Sequence, residues 1–219
     1  MKITFTFLIL FSFSFTVQSQ RKDVTNYLLL GLLNDYNGRL FYKSIHTQVE
    51  HFYPFEEPLV EFIDSLLSGE DRPYEIVNKD GHFYLNSPSI AKFVNSCYTF
   101  KTDSSYILAN PEKEKWELKY TGLRKKLQIT NLTRLKSFIV GSYIRHGERN
   151  NEYFVFRFVN SVSTSSYFLH LITRIGCSNI TTTLITSIPS QRLIQFKPTP
   201  ALRSYIEKYE YLRARIIKR

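Results

Sequence analysis

The chain has 219 residues, 43% hydrophobic and 16% aromatic, with 15 Tyr and 18 Phe. That composition excludes a disordered protein and supplies a core without metals or many disulfides. The net charge of +10 favours anionic partners, but the bases are interleaved with strand-forming residues, as on solvated faces.

Met1-Lys2, the uncharged run Ile3–Val17 and Val17-Gln18-Ser19 read as a secretory signal peptide over residues 1–19, cut before Gln20. Retention as an anchor is the alternative, although the apolar run is shorter than the roughly 20 residues a span needs. A secreted or periplasmic location is therefore expected, with residues 20–219 forming one α+β domain. Asp23 can cap a helix through Asn34, apolar nearly all round and so buried. Asn37-Gly38 marks a turn, and residues 45–55 carry no clear pattern. Pro58 opens a second helix, with Leu59, Val60, Ile63, Leu66 and Leu67 at helical spacing and Gly69 at its end. Its acids Glu57, Glu61 and Asp64 form a solvated stripe. Residues 74–78 and 82–86 predict a hairpin about Lys79-Asp80-Gly81, and Ser87-Pro88 opens a third helix.

From about residue 115 the alternation predicts strands. Trp116, Leu118 and Tyr120 lead to a turn at Thr121-Gly122, and Leu123, Leu127 and Ile129 continue beyond it. Further strands are expected at 137–145, 152–160, 166–175, 180–188 and 192–196, an antiparallel meander of about seven strands. Thr199-Pro200 starts an amphipathic C-terminal helix that packs on the sheet. The expected fold class is α+β, with N-terminal helices before the meander and no internal repeat. The layout resembles parts of the helix-grip fold and of the cone-shaped fold similar to nuclear transport factor 2.

Cys97 and Cys177 either form one disulfide or are two buried thiols. No zinc-ligand spacing, phosphate-binding glycine loop or nucleophile elbow occurs, so no metal, cofactor or catalytic residue is assigned. Arg145-His146-Gly147-Glu148-Arg149 resembles the RHGxR signature of the histidine phosphatases over five residues. The resemblance implies that His146 takes a phosphoryl group held by Arg145 and Arg149. The chain departs from that family at Asn150-Asn151, where its acid-phosphatase form has proline, and at His170, which precedes Leu171 and not an acid. The simpler reading is a polar hairpin tip from Arg145 to Glu152. Asn131-Leu132-Thr133 and Asn179-Ile180-Thr181 are glycosylation sequons, relevant only in a eukaryotic secretory pathway.

Arg157 interrupts the most apolar strand, and His170 and Arg174 share one face of the expected strand 166–175. These three are the candidate ligand-binding residues. The leading expectation is a non-catalytic exported protein that grips an apolar small molecule or an exported partner, with no nucleic acid. The alternatives are a small phosphate-directed hydrolase and a charge-driven binder of anionic lipid or polysaccharide.

Overall fold

The computed structural model describes residues 21–35, 39–41, 47–108, 117–124, 129 and 131–217. The expected signal peptide, the Asn37-Gly38 turn and Trp116 lie outside the described residues. The chain is α+β, as its pattern predicts. Helix α1 (residues 21–32) leads to strands β1 (Arg39–Phe41) and β2 (Gln48–Phe52). A short 3-10 turn (Pro54–Glu56) and helix α2 (Glu57–Ser68) follow, then β3 (Glu75–Lys79), β4 (His82–Asn86) and α3 (Pro88–Ser96). A hairpin of β5 (Tyr98–Leu108) and β6 (Glu117–Arg124) comes next. The same order then recurs as α4 (Leu132–His146), β7 (Gly147–Asn150), β8 (Tyr153–Val159), α5 (Val162–Arg174), β9 (Ser178–Ile185), β10 (Gln191–Lys197) and α6 (Pro200–Glu207). Helix α7 (Glu210–Ile217) closes the described chain.

The fold is thus an α-β-β-α-β-β-α unit used twice, although the sequence shows no repeat. The second sheet runs β7-β8-β10-β9 and the first β2-β4-β3, so β2, β4 and β3 match β8, β10 and β9. β1 pairs with β6 of the inserted hairpin, Leu40 opposite Thr121. The β3–β4 hairpin forms where predicted; Asp80 (φ 54°) and Gly81 (φ 81°) supply the two left-handed residues of its turn.

Two expected strands are helices, and the long meander does not form. Residues 137–145 lie in α4, where Ser137 to Arg145 are all buried. A helix surrounded on every side has no polar stripe, and its β-branched residues imitate a strand. Asn131 caps it by accepting hydrogen bonds from the amides of Thr133 and Arg134. Residues 166–175 lie mostly in α5, which buries Thr164, Ser165, Phe168, Leu171 and Ile172, a spacing of three and four. Thr121-Gly122 is no turn: β6 runs straight through it, with Gly122 opposite Phe100 of β5. The C-terminal helix divides into α6 and α7, which rest on α4 and α2. Cys97 and Cys177 are separate buried thiols, not a disulfide.

Phenylalanines fill the space between the second sheet and its helices. Phe154, Phe156 and Phe158 alternate along β8 beside Phe196 of β10, with Phe168 of α5 packed against them. The Phe156 and Phe168 ring centroids are 4.3 Å apart. Burial of each such side chain contributes roughly 1.5–3 kcal/mol.

Candidate functional site

The two units meet along α1 and α4, and glycine sets how closely. A Cβ on Gly31 would lie 2.1 Å from the carbonyl oxygen of Phe138; a Cβ on Gly141 would lie 2.1 Å from that of Leu28. Each glycine faces the residue three positions before the other, so the contact is reciprocal about a local twofold axis. Only hydrogen fits between backbones this close.

Four residues past each glycine, the chain reaches into the opposite unit. Arg145, at the end of α4, donates from Nε and Nη2 to Glu56 at 2.8 and 2.9 Å. Its Nη1 meets Leu32 O at 2.9 Å and Glu50 at 3.2 Å, and Nη2 also reaches His51 O at 3.2 Å. The guanidinium thus makes four hydrogen bonds and a further ion pair with Glu50, and it lies over the Phe52 ring, 5.0 Å from its centroid. Burial alone would lower the pKa of Arg145, but Glu50 and Glu56 hold it above its usual value. Asp35, past the end of α1, occupies the matching position with a left-handed backbone (φ 50°) that aspartate tolerates. Its carboxylate accepts from Ser163 at 3.2 Å and from Thr164, at the amide-rich start of α5.

His146 follows Arg145, with Nε2 3.2 Å from Leu33 O and its ring centroid 5.3 Å from that of Phe158. Burial, then the Arg145 charge, push its pKa down to about 3 against the pull of the Leu33 carbonyl. It is neutral at ordinary pH. Arg149 lies apart on the surface, paired with Glu210 at 2.9 Å and Glu207 at 3.3 Å. The RHGER string is therefore no phosphate clamp: both arginines are held by carboxylates and the histidine faces a carbonyl. The string ends a buried helix and begins β7, and is not a hairpin tip throughout.

The second feature is the outer face of each sheet. On the second sheet, the face opposite the phenylalanines carries Val155, Arg157 and Val159 of β8, Gln191, Leu193 and Gln195 of β10, and Thr181 and Thr183 of β9. None of these is buried. Arg157 is exposed and donates to Gln191 at 2.7 Å. On the first sheet the corresponding face carries His51, Tyr84, Val77, His82, Lys79, Asn86 and the exposed acid Glu75, also unburied. Both faces mix polar and charged groups with a few apolar ones, whereas the inner faces hold the buried core side chains, with the unburied Asn78, Thr182 and Arg192 beside them.

The three candidate ligand residues do not converge. Arg157 belongs to this outer face, while His170 and Arg174 are exposed on α5, a helix packed on the inner face. Arg174 donates to Ile129 O at 2.9 Å. Among the described residues, no group of three or more His, Cys, Asp or Glu side chains could hold a metal ion. Sequence reasoning misses the rings around His51 because two strands and a turn bring them together; the one local signal is the alternation of His82 and Tyr84.

Neither a protein-family model nor a curated protein matches the sequence. Among solved structures the chain is similar to I-DmoI in complex with DNA and Ca, at 15% identity and a TM-score of 0.48, over 87% of this chain and 89% of that one. Mesophilic variants of the homing endonuclease I-DmoI give 14% identity and a TM-score of 0.49, over 89% and 97%. I-DmoI in complex with DNA and Mn gives 15% and 0.46, over 88% and 97%. Those structures hold DNA with Ca or Mn, where the expectation for this chain was an apolar ligand. The inner sheet face expected to grip an apolar molecule is filled by the chain's own phenylalanines. The apolar or exported partner, the phosphate hydrolase and anionic-surface alternatives, the exclusion of nucleic acid and the secreted or periplasmic location are withdrawn together.

Proposed function

We propose that this chain binds nucleic acid by laying its two outer sheet faces along a duplex. The carrying observation is that both sheets turn an unburied, hydrogen-bonding face outward from one pseudo-twofold pair of helices. Paired strands fit the major groove, and Arg157, Gln191, Gln195, Thr181 and Thr183 are side-chain types that contact base edges there. The net charge of +10 supplies long-range attraction to phosphate. Arg145, Glu50, Glu56 and Asp35 act in this reading as a brace that fixes the angle between the faces.

Fluorescence anisotropy of the full chain with duplex DNA across a salt series tests the proposal. Binding should weaken as salt rises. Arg157→Ala with Lys79→Ala, one cation from each face, should flatten the logarithmic slope by about 0.9 for each phosphate left without its cation. A double variant that binds with the parent's affinity and slope would remove these faces from consideration.

A further inference from the structure

One rim of the first sheet carries more aromatic surface than its packing requires. Tyr53 and Phe55 flank Pro54 in the turn after β2, with ring planes 3° from parallel and centroids 5.5 Å apart. Both are exposed, at 37% and 49%. Tyr53 also meets His51 at 5.5 Å and His82 at 5.7 Å, and His51 lies 6.1 Å from Tyr84 with planes 28° apart. The rings form a path from the middle of the outer face, Tyr84 and His51, to its edge, Tyr53 and Phe55. Tyr53 and Phe55 are exposed and His51, His82 and Tyr84 are half-buried, so the path is most open to a partner with flat faces at its Tyr53–Phe55 end.

The charges beside the path narrow that partner. Glu50 and Glu56, neighbours of the path in sequence, turn inward to Arg145, and the acid on the outer face, Glu75, lies at the opposite end of β3 from Lys79. Lys79 stands in register with His82, and Asp80 beyond it occupies the hairpin tip. A cation beside open rings suits a backbone of phosphates carrying bases, because stacking holds the base and the ammonium meets the phosphate. The path also continues the outer face assigned above to duplex, which places it where a strand leaves the paired region. We infer that His51, Tyr53, Phe55, His82 and Tyr84 form a stacking platform for unpaired bases next to a bound duplex. The inference rests on the nucleic-acid reading of the outer faces and adds to it a preference for junctions over plain duplex.

The test compares the full chain's affinity for a blunt duplex, for the same duplex with a thymidine overhang, and for one with a uridine overhang. The overhang should tighten binding about tenfold or more. Tyr53→Ala with Phe55→Ala should abolish that gain and leave the blunt-duplex affinity unchanged. Tyr53→Phe with Phe55→Tyr, which keeps both flat faces, should retain the gain. Equal gains with thymidine and uridine support stacking indifferent to the sugar, and a gain with uridine alone supports a platform for RNA. An overhang that adds nothing, or a gain that survives the alanine pair, overturns the platform while leaving duplex binding in place. Failure to bind the blunt duplex overturns the underlying reading, and the platform with it.

Discussion

Replacing Gly31 with alanine puts a methyl 2.1 Å from the Phe138 carbonyl oxygen, where real Cβ contacts essentially never fall below 3.0 Å. The helices must therefore part by about 0.9 Å, and the obstacle is backbone, which cannot rotate aside. In an isolated helix the same change would stabilise by about 1 kcal/mol. Overpacking a rigid site costs about 1–3 kcal/mol and at times more, and here the packing between the units must itself open, so a net loss of about 3 kcal/mol is expected. Gly141→Ala meets Leu28 in the same way and should cost about the same. Because either methyl forces the same separation, the double variant should lose about 4 kcal/mol, well short of the sum of the singles. Urea titrations of the four proteins, followed by circular dichroism, measure these values. A stabilised Gly31→Ala protein, or strictly additive losses, would refute the close reciprocal packing.

Arg145→Met leaves the buried Glu56 and the part-buried Glu50 without their cation and should destabilise by about 3–5 kcal/mol in the same titration. Asp35→Ala removes the acceptor for Ser163 and Thr164 and should cost about 1–2 kcal/mol, while Asp35→Asn, which keeps an acceptor and tolerates the left-handed backbone, should cost less. His146 in the unfolded chain takes a proton below about 6.5, but in the folded chain only near pH 3. Between those values the unfolded chain holds the extra proton, so this contribution is complete above about pH 6.5 and is lost as pH falls toward 3. Discounted for the ring's partial exposure, it amounts to about 2 kcal/mol between pH 7 and pH 4. His146→Phe should flatten that part of the stability profile by denaturant midpoint; an unchanged slope would show that the ring titrates freely.

Legibility in the sequence follows exposure. Helix α2 is readable because one side meets solvent, so Leu59, Ile63 and Leu67 stand out against Glu61 and Asp64. The β3–β4 hairpin is readable because Asp80-Gly81 demands a particular backbone. Helix α4 is not, since solvent reaches almost none of it and Ile139, Val140 and Ile144 satisfy a strand pattern equally well. Its signal is Asn131, a helix cap that doubles as the first residue of a sequon. Helix α5 looks like a strand because Phe168, His170, Ile172 and Arg174 alternate, while the burial of Ser165, Phe168 and Ile172 follows the helical period. Of the candidate site, Arg157 shows itself as a cation in an apolar strand. Arg145 resembles part of a polar tip because its partners, Glu50 and Glu56, lie about ninety positions away in the chain.

The exchange of sign between Asp35 and Arg145 governs which unit can pair with which. Two copies of the first unit would bring Asp35 to the place of Arg145, beside Glu50 and Glu56, and gather three carboxylates out of water. Two copies of the second would press a guanidinium against the positive start of α5. Each like pairing sets like charges together, and only the unlike pairing gives Arg145 its carboxylates and Asp35 its hydroxyl donors. The covalent link between the units is thus matched by an electrostatic one.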